Sequence, residues 1–387
     1  MRIAFLTNIL TPYRVFFFDQ LYKTLRVEAG DMRVFVMTDS LPLRPWNFQD
    51  LKREYTVLLK SKKFFIHDND FLISFNIKKE VIDFSPDILI VAGSWTYPTT
   101  WEVMFDKRIT RNTKTFFWTE SHNHTGIANS TKTRPAVRKI KQKLINRFDG
   151  FCMPGKYALE TISQIVDVNS KTIIRLPNLV DDKYFDEANR IRNNKATLRM
   201  EKDIPMDRFV FFTPARMRDL KGQLPFFRNV IDAVKEKKVT FVLAGEGPDK
   251  DAIEEIGNQN NIDIRIYDYQ TQEQIREWLS LADAFLLPSL SDPNPLSNIE
   301  AAWAGLPLCV SCYVGNGPEL VEDGVNGVIF DTLNKKSVSE KIKFVLQQNK
   351  TWKENAGKIS HGKAEEGFDS QKESIKFINA LKKLCRA

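Results

Sequence analysis

Two groups of charged residues in the second half of the chain have the spacing that a phosphate and hydroxyl site requires. Arg216 and Lys221 lie in ARMRDLKG, just after the apolar run Phe209–Thr213. Both side chains can reach one strand-end loop, and two cations there suit a diphosphate and its departure as a leaving group. Asp292 and Glu300 lie in SDPNPLSNIEAAWAG, after the apolar run Ala284–Leu287. Asn294 is placed to cap a helix with Pro295 in its first turn, running to about Ala304 with Gly305 ending it. The free N–H groups near Leu296, Ser297 and Asn298, at the positive end of the helix dipole, make a phosphate site. The two carboxylates can accept hydrogen bonds from sugar or ribose hydroxyls. Alone, either acid reads as well as a helix cap, and an Arg/Lys loop reads as solvated. Their combination in strand–loop–helix units favours a ligand site.

Those loops must be held by a sheet. The first half offers apolar runs at Arg2–Leu6, Arg33–Met37, Ile88–Ala92, Thr115–Trp118, Gly150–Met153 and Thr172–Arg175. A second series follows at Phe209–Thr213, Thr240–Ala244, Ile264–Tyr267, Ala284–Leu287, Leu308–Ser311 and Gly327–Phe330. Amphipathic stretches such as Phe16–Leu25 and Lys78–Phe84 separate them. This alternation predicts an α/β protein with two Rossmann-like, doubly wound parallel sheets, whose ligands bind beyond the carboxyl ends of the strands. The expected domains are 1–178 and 179–370, with the linker within the polar stretch Asp181–Asp203. Residues 371–387 read as a helix that can pack back on the first domain.

Charge divides the same way. Residues 1–178 hold 27 Lys and Arg against 17 Asp and Glu, a net +10; residues 179–387 are at −2. The basic residues gather at Lys60, Lys62 and Lys63 and in TKTRPAVRKIKQKLINRF. The latter reads as an amphipathic helix with Val137, Ile140, Leu144 and Phe148 on one face, amid Arg138, Lys139, Lys141, Lys143 and Arg147. Such a helix can rest on an anionic membrane surface, although a core-facing helix with a solvated cationic back is the commoner arrangement. No nucleic-acid module accompanies the charge, so nucleic acid is not an expected partner. Apolar runs fall short of a membrane span, and MRIAFLTNIL reads as a strand with no cleavage site, so a cytoplasmic protein is expected. Cys309 and Cys312 form a CxxC with no second pair, so buried strand residues are expected there and not a zinc half-site.

The second half resembles glycosyltransferase family 4, retaining enzymes of the GT-B fold. ARMRDLKG, VLAGEGPD, SLADAFLLPSLSDPNPLSNIEAAWAGLP and VGNGPELVEDGVNGVIF follow the family's order and spacing. LPNLVDDKYF resembles its domain-junction motif. LTNILTPYRVFFFDQL and the RPW of Arg44–Trp46 resemble one branch more loosely. The resemblance implies two Rossmann-like domains facing a cleft and transfer of a hexose or N-acetylhexosamine from a nucleotide-sugar, UDP being the commonest base. The acceptor would be a hydroxyl of a glycan or lipid-linked molecule in cell-surface polysaccharide or glycoconjugate synthesis. It also implies no metal or other cofactor; the basic first half adds the inner membrane face to the expected cytoplasmic location. Arg216 and Lys221 align with the diphosphate-binding pair, and Glu300 with the ribose-binding acid of E-x7-E. Asp292 stands where the sugar-contacting acid is usually Glu, which leaves the donor sugar open. Leu296 and Ser297 align with backbone donors to phosphate and sugar, and Tyr267 and Asp268 with the nucleotide-base position.

In the first half, FFWTESHNHTG places Glu120 and His122 where family enzymes meet donor sugar and acceptor, and Arg14 in NILTPYR is a candidate phosphate cation. A hydrogen-bonded loop histidine explains His122 equally well. The Asp68-Asn69-Asp70 triplet, read as a polar loop, matches a metal-binding DxD by chance. A GT-B protein that binds glycan or nucleotide without catalysis is the alternative, motivated by Asp292. No Ser/His/Asp arrangement offers another mechanism.

Overall fold

The computed structural model describes residues 1–41, 46–66, 69–127 and 135–386. They group into two units: Met1–Ser121, Lys132–Asn178 and Ser370–Ala387 form one; His122–Thr131 and Leu179–Asp369 form the other.

The first unit contains β1 (Arg2–Thr7), β2 (Asp31–Val36), β3 (Thr56–Leu58), β4 (Ser61–Ile66), β5 (Asn69–Ser74), β6 (Ile88–Ala92), β7 (Lys114–Trp118), β8 (Gly150–Met153) and β9 (Thr172–Arg175). Among the described residues, a parallel sheet runs in the order β3-β2-β1-β6-β7-β8-β9. Its central strands are buried on both faces, which is why they read as unbroken apolar runs. Helix α1 (Pro12–Val27) starts on Pro12, whose fixed φ suits a first helical turn, and buries Val15, Phe17, Phe18, Leu21 and Leu25. Helices α2 (Pro98–Phe105), α3 (Pro135–Ile145) and α4 (Lys156–Ser163) follow β6, β7 and β8.

Three expectations change here. β3 and the antiparallel hairpin β4–β5 were not legible as strands. Asn69 and Asp70 belong to β5, not to a loop, and Asp68 lies outside the described residues, as do Arg44 and Pro45 of RPW. On α3 the anticipated apolar face splits. Leu144 and, just beyond the helix, Phe148 are buried, whereas Val137 and Ile140 are exposed.

The second unit contains β10 (Phe209–Pro214), β11 (Val239–Ala244), β12 (Asp263–Tyr267), β13 (Ala284–Leu287), β14 (Leu308–Ser311) and β15 (Gly327–Phe330), all parallel, in the order β12-β11-β10-β13-β14-β15. Both sheets reverse direction of winding once, between β1 and β6 and between β10 and β13. Such reversals open a crevice at the carboxyl ends of the two strands.

The stretch Asp181–Asp203 is helical and not an open linker. Asp181 caps α5 (Asp182–Ile191) by accepting from the Tyr184 N–H, and α6 (Lys195–Glu201) follows. Arg199 anchors α6, donating to the Leu281, Met206 and Arg208 carbonyls and to Asp283 at 2.7 Å. Part of the polar composition that suggested a linker serves this network, which Lys195 joins through Asp283 at 2.6 Å. Helix α7 (Leu296–Trp303) follows β13, and α8 (Ser370–Arg386) packs on α1 and β9 of the first unit, where Glu373 accepts from Arg175 at 2.7 Å.

Candidate functional site

In the second unit, the winding reversal is built from the loops after β10 and β13. After β10 the chain passes Arg216, which is exposed, and enters a short turn at Asp219–Lys221. Gln223 fastens this loop by donating to the Ala215 and Arg216 carbonyls. Gly222 closes the turn at φ +65°, and a Cβ there would strike the Pro288 carbonyl oxygen, so the two loops approach only with glycine. The Leu290 and Ser291 N–H groups donate to the Leu220 carbonyl, tying the second loop to the first. Lys221 Nζ consequently sits 2.5 Å from Asp292 Oδ2. The cation and the acid read separately from the sequence form one ion pair.

Asp292 is buried, and its main chain is held as well: its carbonyl accepts from the Gly315 N–H at 2.8 Å. His122 Nε2 lies 3.4 Å from that same carbonyl oxygen. Burial pushes the His122 pKa below its usual value, against the pull of this contact. The segment carrying His122 belongs to the second unit and not to the first, because the Gly126 N–H and Thr125 hydroxyl both donate to the Leu290 carbonyl.

Helix α7 begins at Leu296 with Pro295 as its cap residue, so Asn294 is not the cap. Asn294 instead accepts from Asn316 Nδ2 at 3.1 Å, Asn316 donates also to the Pro295 carbonyl, and Asn298 Nδ2 donates to Asn316 Oδ1 at 2.9 Å. All three asparagines are buried, so this network fixes the direction in which α7 points. The side chain of Asn298 is therefore a brace. Its backbone N–H, with those of Leu296 and Ser297, occupies the first helical turn and has no partner within the helix. Gly305 ends the helix region at φ +67°.

Glu300 is partly buried one turn inside α7. Its carboxylate makes no hydrogen bond or ion pair among the described residues, and burial alone raises its pKa to about 7. A carboxylate held this way is ready to accept hydrogen bonds from a ligand that enters. Tyr267 turns its ring onto Trp278, 4.8 Å between centroids, and Asp268 pairs with Lys250. Tyr269, two residues beyond Tyr267, is exposed.

The first unit carries its own strand-end features. Arg14 donates to Glu120 at 2.6 Å and stacks 4.0 Å from the Trp118 ring centre, so the two candidates there neutralise each other. A cavity of about 360 Å³ opens beyond β1, β6 and β7, lined by Asn8, Ser94, Trp95, Thr119 and Lys141 among others. Gly93, at φ +114°, turns the chain out of β6 at its rim. Sequence reading placed Lys141 on a solvated cationic back; it lines this cavity, with its ammonium 6.0 Å from the Trp95 ring centre.

Residues 194–359 match the family model described as Glycosyl transferases group 1. The alpha-monoglucosyldiacylglycerol synthase of Acholeplasma laidlawii is 24% identical over 203 residues, 51% of this chain and 50% of that protein. An O-antigen biosynthesis glycosyltransferase, WclY of Escherichia coli, is 26% identical over 211 residues, 52% of this chain and 54% of its own length. The chain thus spans about half the length of the curated relatives it matches. The crystal structure of Anabaena HepE in complex with UDP and glucose superposes with a TM-score of 0.70 at 15% identity, covering 99% of this chain and 100% of that one. The fold is that of GT-B glycosyltransferases.

Proposed function

From the match of residues 194–359 to glycosyltransferase group 1, we propose that this chain is a retaining, metal-independent glycosyltransferase. It moves a hexose or N-acetylhexosamine from a nucleotide-sugar, UDP-sugar first, to a hydroxyl of a glycan or lipid-linked acceptor. The observation that carries this reading is Glu300, a sheltered carboxylate with no side-chain partner among the described residues, behind the N–H groups of the first turn of α7, which have no partner within the helix. Glu300 accepts from the ribose hydroxyls. Lys221, Arg216 and the first turn of α7 hold the diphosphate, supplying the positive charge that a divalent ion supplies in other transferases. When the diphosphate takes Lys221, Asp292 is released to contact the transferred sugar, with His122 beside its main chain. The solved complex of HepE with UDP and glucose supports UDP as the first donor to test.

The test is thermal stability of the chain against UDP, GDP, ADP and CMP and their sugar conjugates, with and without EDTA. A ligand at about 100 times its Kd adds roughly 2.7 kcal/mol in the one-site case. The expected result is a selective, EDTA-insensitive shift with one nucleotide family, followed by turnover that Lys221→Ala lowers by about 100- to 1000-fold. Binding without turnover would favour the non-catalytic alternative, which Asp292 motivates.

The acceptor side is assigned to the first unit, at the cavity beyond β1 and β6. We also propose that this unit meets an anionic membrane at its cytoplasmic face. Ile140 is 49% exposed and Phe105 53%, with Arg147 4.3 Å over the Phe105 ring and Arg138, Lys139 and Lys143 on α3. Apolar side chains within a cationic surface suit such an interface. No helix among the described residues is long and apolar enough to cross a membrane. Phosphatidylglycerol vesicles should bind the protein at low salt and release it at high salt; binding at neither, or at both, contradicts the electrostatic attachment.

A further inference from the structure

Sheltered cations in this protein are generally matched by a carboxylate or, as Arg192 is at Leu279 and Ala304, by carbonyl oxygens. Arg14 has Glu120, Arg175 has Glu373, and Lys195 and Arg199 share Asp283. Lys141 breaks the pattern. It is partly buried, and among the described residues its ammonium makes no ion pair or hydrogen bond and no carboxylate lines the cavity it borders. The other groups there are neutral: the Asn8 amide, the hydroxyls of Ser94, Thr119 and Ser121, and apolar walls from Phe117 and Ile145. Burial lowers the Lys141 pKa with nothing opposing it, so its ammonium is under-compensated where it stands. The loop that carries Trp95 is fixed, since Trp101 Nε1 donates to the Trp95 carbonyl at 2.8 Å.

These features lie at the winding reversal of the first sheet, where an α/β protein binds its ligand. A cation without a counter-ion, an aromatic face and a ring of neutral hydroxyls and amides answer three parts of one ligand: a fixed anion, the apolar face of a sugar ring, and hydroxyl groups. We propose that Lys141 is a specificity-determining residue of the acceptor cavity, and that the acceptor is a glycoside bearing a fixed negative charge, phosphate or carboxylate. The proposal rests on the transferase reading for the word acceptor, while the ligand chemistry rests on the cavity alone.

The test is calorimetric titration of the full chain with glucose 6-phosphate, glucuronate and glucose, in the presence of saturating UDP. Lys141→Met, Lys141→Arg, Trp95→Ala and Lys221→Ala variants are compared, each checked for folding by circular dichroism and melting. The expected result is about tenfold or greater preference for a charged probe over glucose, the scale of one charge-assisted hydrogen bond. Lys141→Met should lose the preference, Lys141→Arg keep it, and Trp95→Ala weaken charged and neutral probes together. Whichever charged probe binds better identifies phosphate or carboxylate as the anion. Retention of the preference in Lys221→Ala places it in the cavity and not at the second unit's diphosphate site. Equal binding of charged and neutral probes, no binding by any of them, or a preference that survives Lys141→Met would overturn the proposal. If Lys141→Met does not fold, Lys141→Gln takes its place. Failure of the transferase reading is read separately, as the absence of turnover with every nucleotide-sugar, and leaves the Lys141 comparison intact.

Discussion

The two sheets share a topology and a winding reversal, yet the chemistry at the two reversals is opposite in kind. In the second unit the crevice is assembled from backbone: free N–H groups of α7, glycines that let loops touch, and an asparagine brace. Its acid and cation, Asp292 and Lys221, already face each other. In the first unit the crevice is a cavity walled by side chains, with an unmatched cation and an indole ring. Backbone donors at fixed spacing suit a ligand that is always the same, such as a diphosphate. Side-chain walls change one residue at a time and suit the partner that varies, the acceptor. On the proposed reading, one fold divides a constant task, holding the diphosphate, from a variable one, choosing the acceptor.

The comparison can be broken most severely at Lys221. Lys221→Ala should lower kcat/KM by about 100- to 1000-fold, the cost of removing a charge that stabilises a leaving group. It should leave binding of charged sugars to the first unit unchanged; loss of both in steady-state kinetics and calorimetry would merge the two sites. Next comes Glu120→Gln in the first unit, which strands the Arg14 guanidinium without its partner and should cost about 3 kcal/mol of that unit's stability in urea unfolding. Donor affinity should not follow it. Asn316→Leu removes three hydrogen bonds from the brace and should cost about 2 kcal/mol while weakening UDP binding, because α7 loses its aim.

The smallest effect concerns Glu300 and pH. Its folded pKa, about 7, stands above the unfolded value of 4.5, so folding favours the protonated form. That stabilisation is complete below about pH 4.5 and disappears as pH rises through about 7. Glu300→Gln should therefore be more stable than the parent at pH 8, by about 1–2 kcal/mol, and no more stable at pH 4.5. Thermal melts at the two pH values check this.

Much of this was legible because parallel strands buried on both faces read as apolar runs. Ala284–Leu287, Leu308–Ser311 and Gly327–Phe330 match the observed strands residue for residue. The hairpin at Ser61–Ser74 was not, since its polar residues hide the strand signal. Lys221 and Asp292 were legible as candidates but not as a pair, because 71 residues separate them and their loops meet only once β10 and β13 pair and Leu220 accepts from Leu290 and Ser291. Asn316 was illegible, since nothing local marks an asparagine that braces a helix from 18 residues away. Lys141 was misread for a related reason: helical periodicity placed it among solvated lysines, and the cavity that shelters it forms only when β1, β6 and β7 come together. His122 went to the wrong unit because chain order follows the first sheet while its hydrogen bonds follow the second.

The proposed donor site turns on Glu300 holding the ribose of a nucleotide-sugar in the second unit. The most direct measurement is calorimetric titration of UDP-glucose and UDP-N-acetylglucosamine into the parent and Glu300→Gln proteins from pH 5.5 to 8.5, in buffers of different ionisation heat. Affinity in the parent should strengthen as pH rises through about 7, with proton release near that pH, because the ligand selects the ionised carboxylate. Glu300→Gln should bind at least about tenfold more weakly at pH 8 and show no proton release. Equal affinity in the two proteins at pH 8, or a parent whose binding ignores pH, would contradict it.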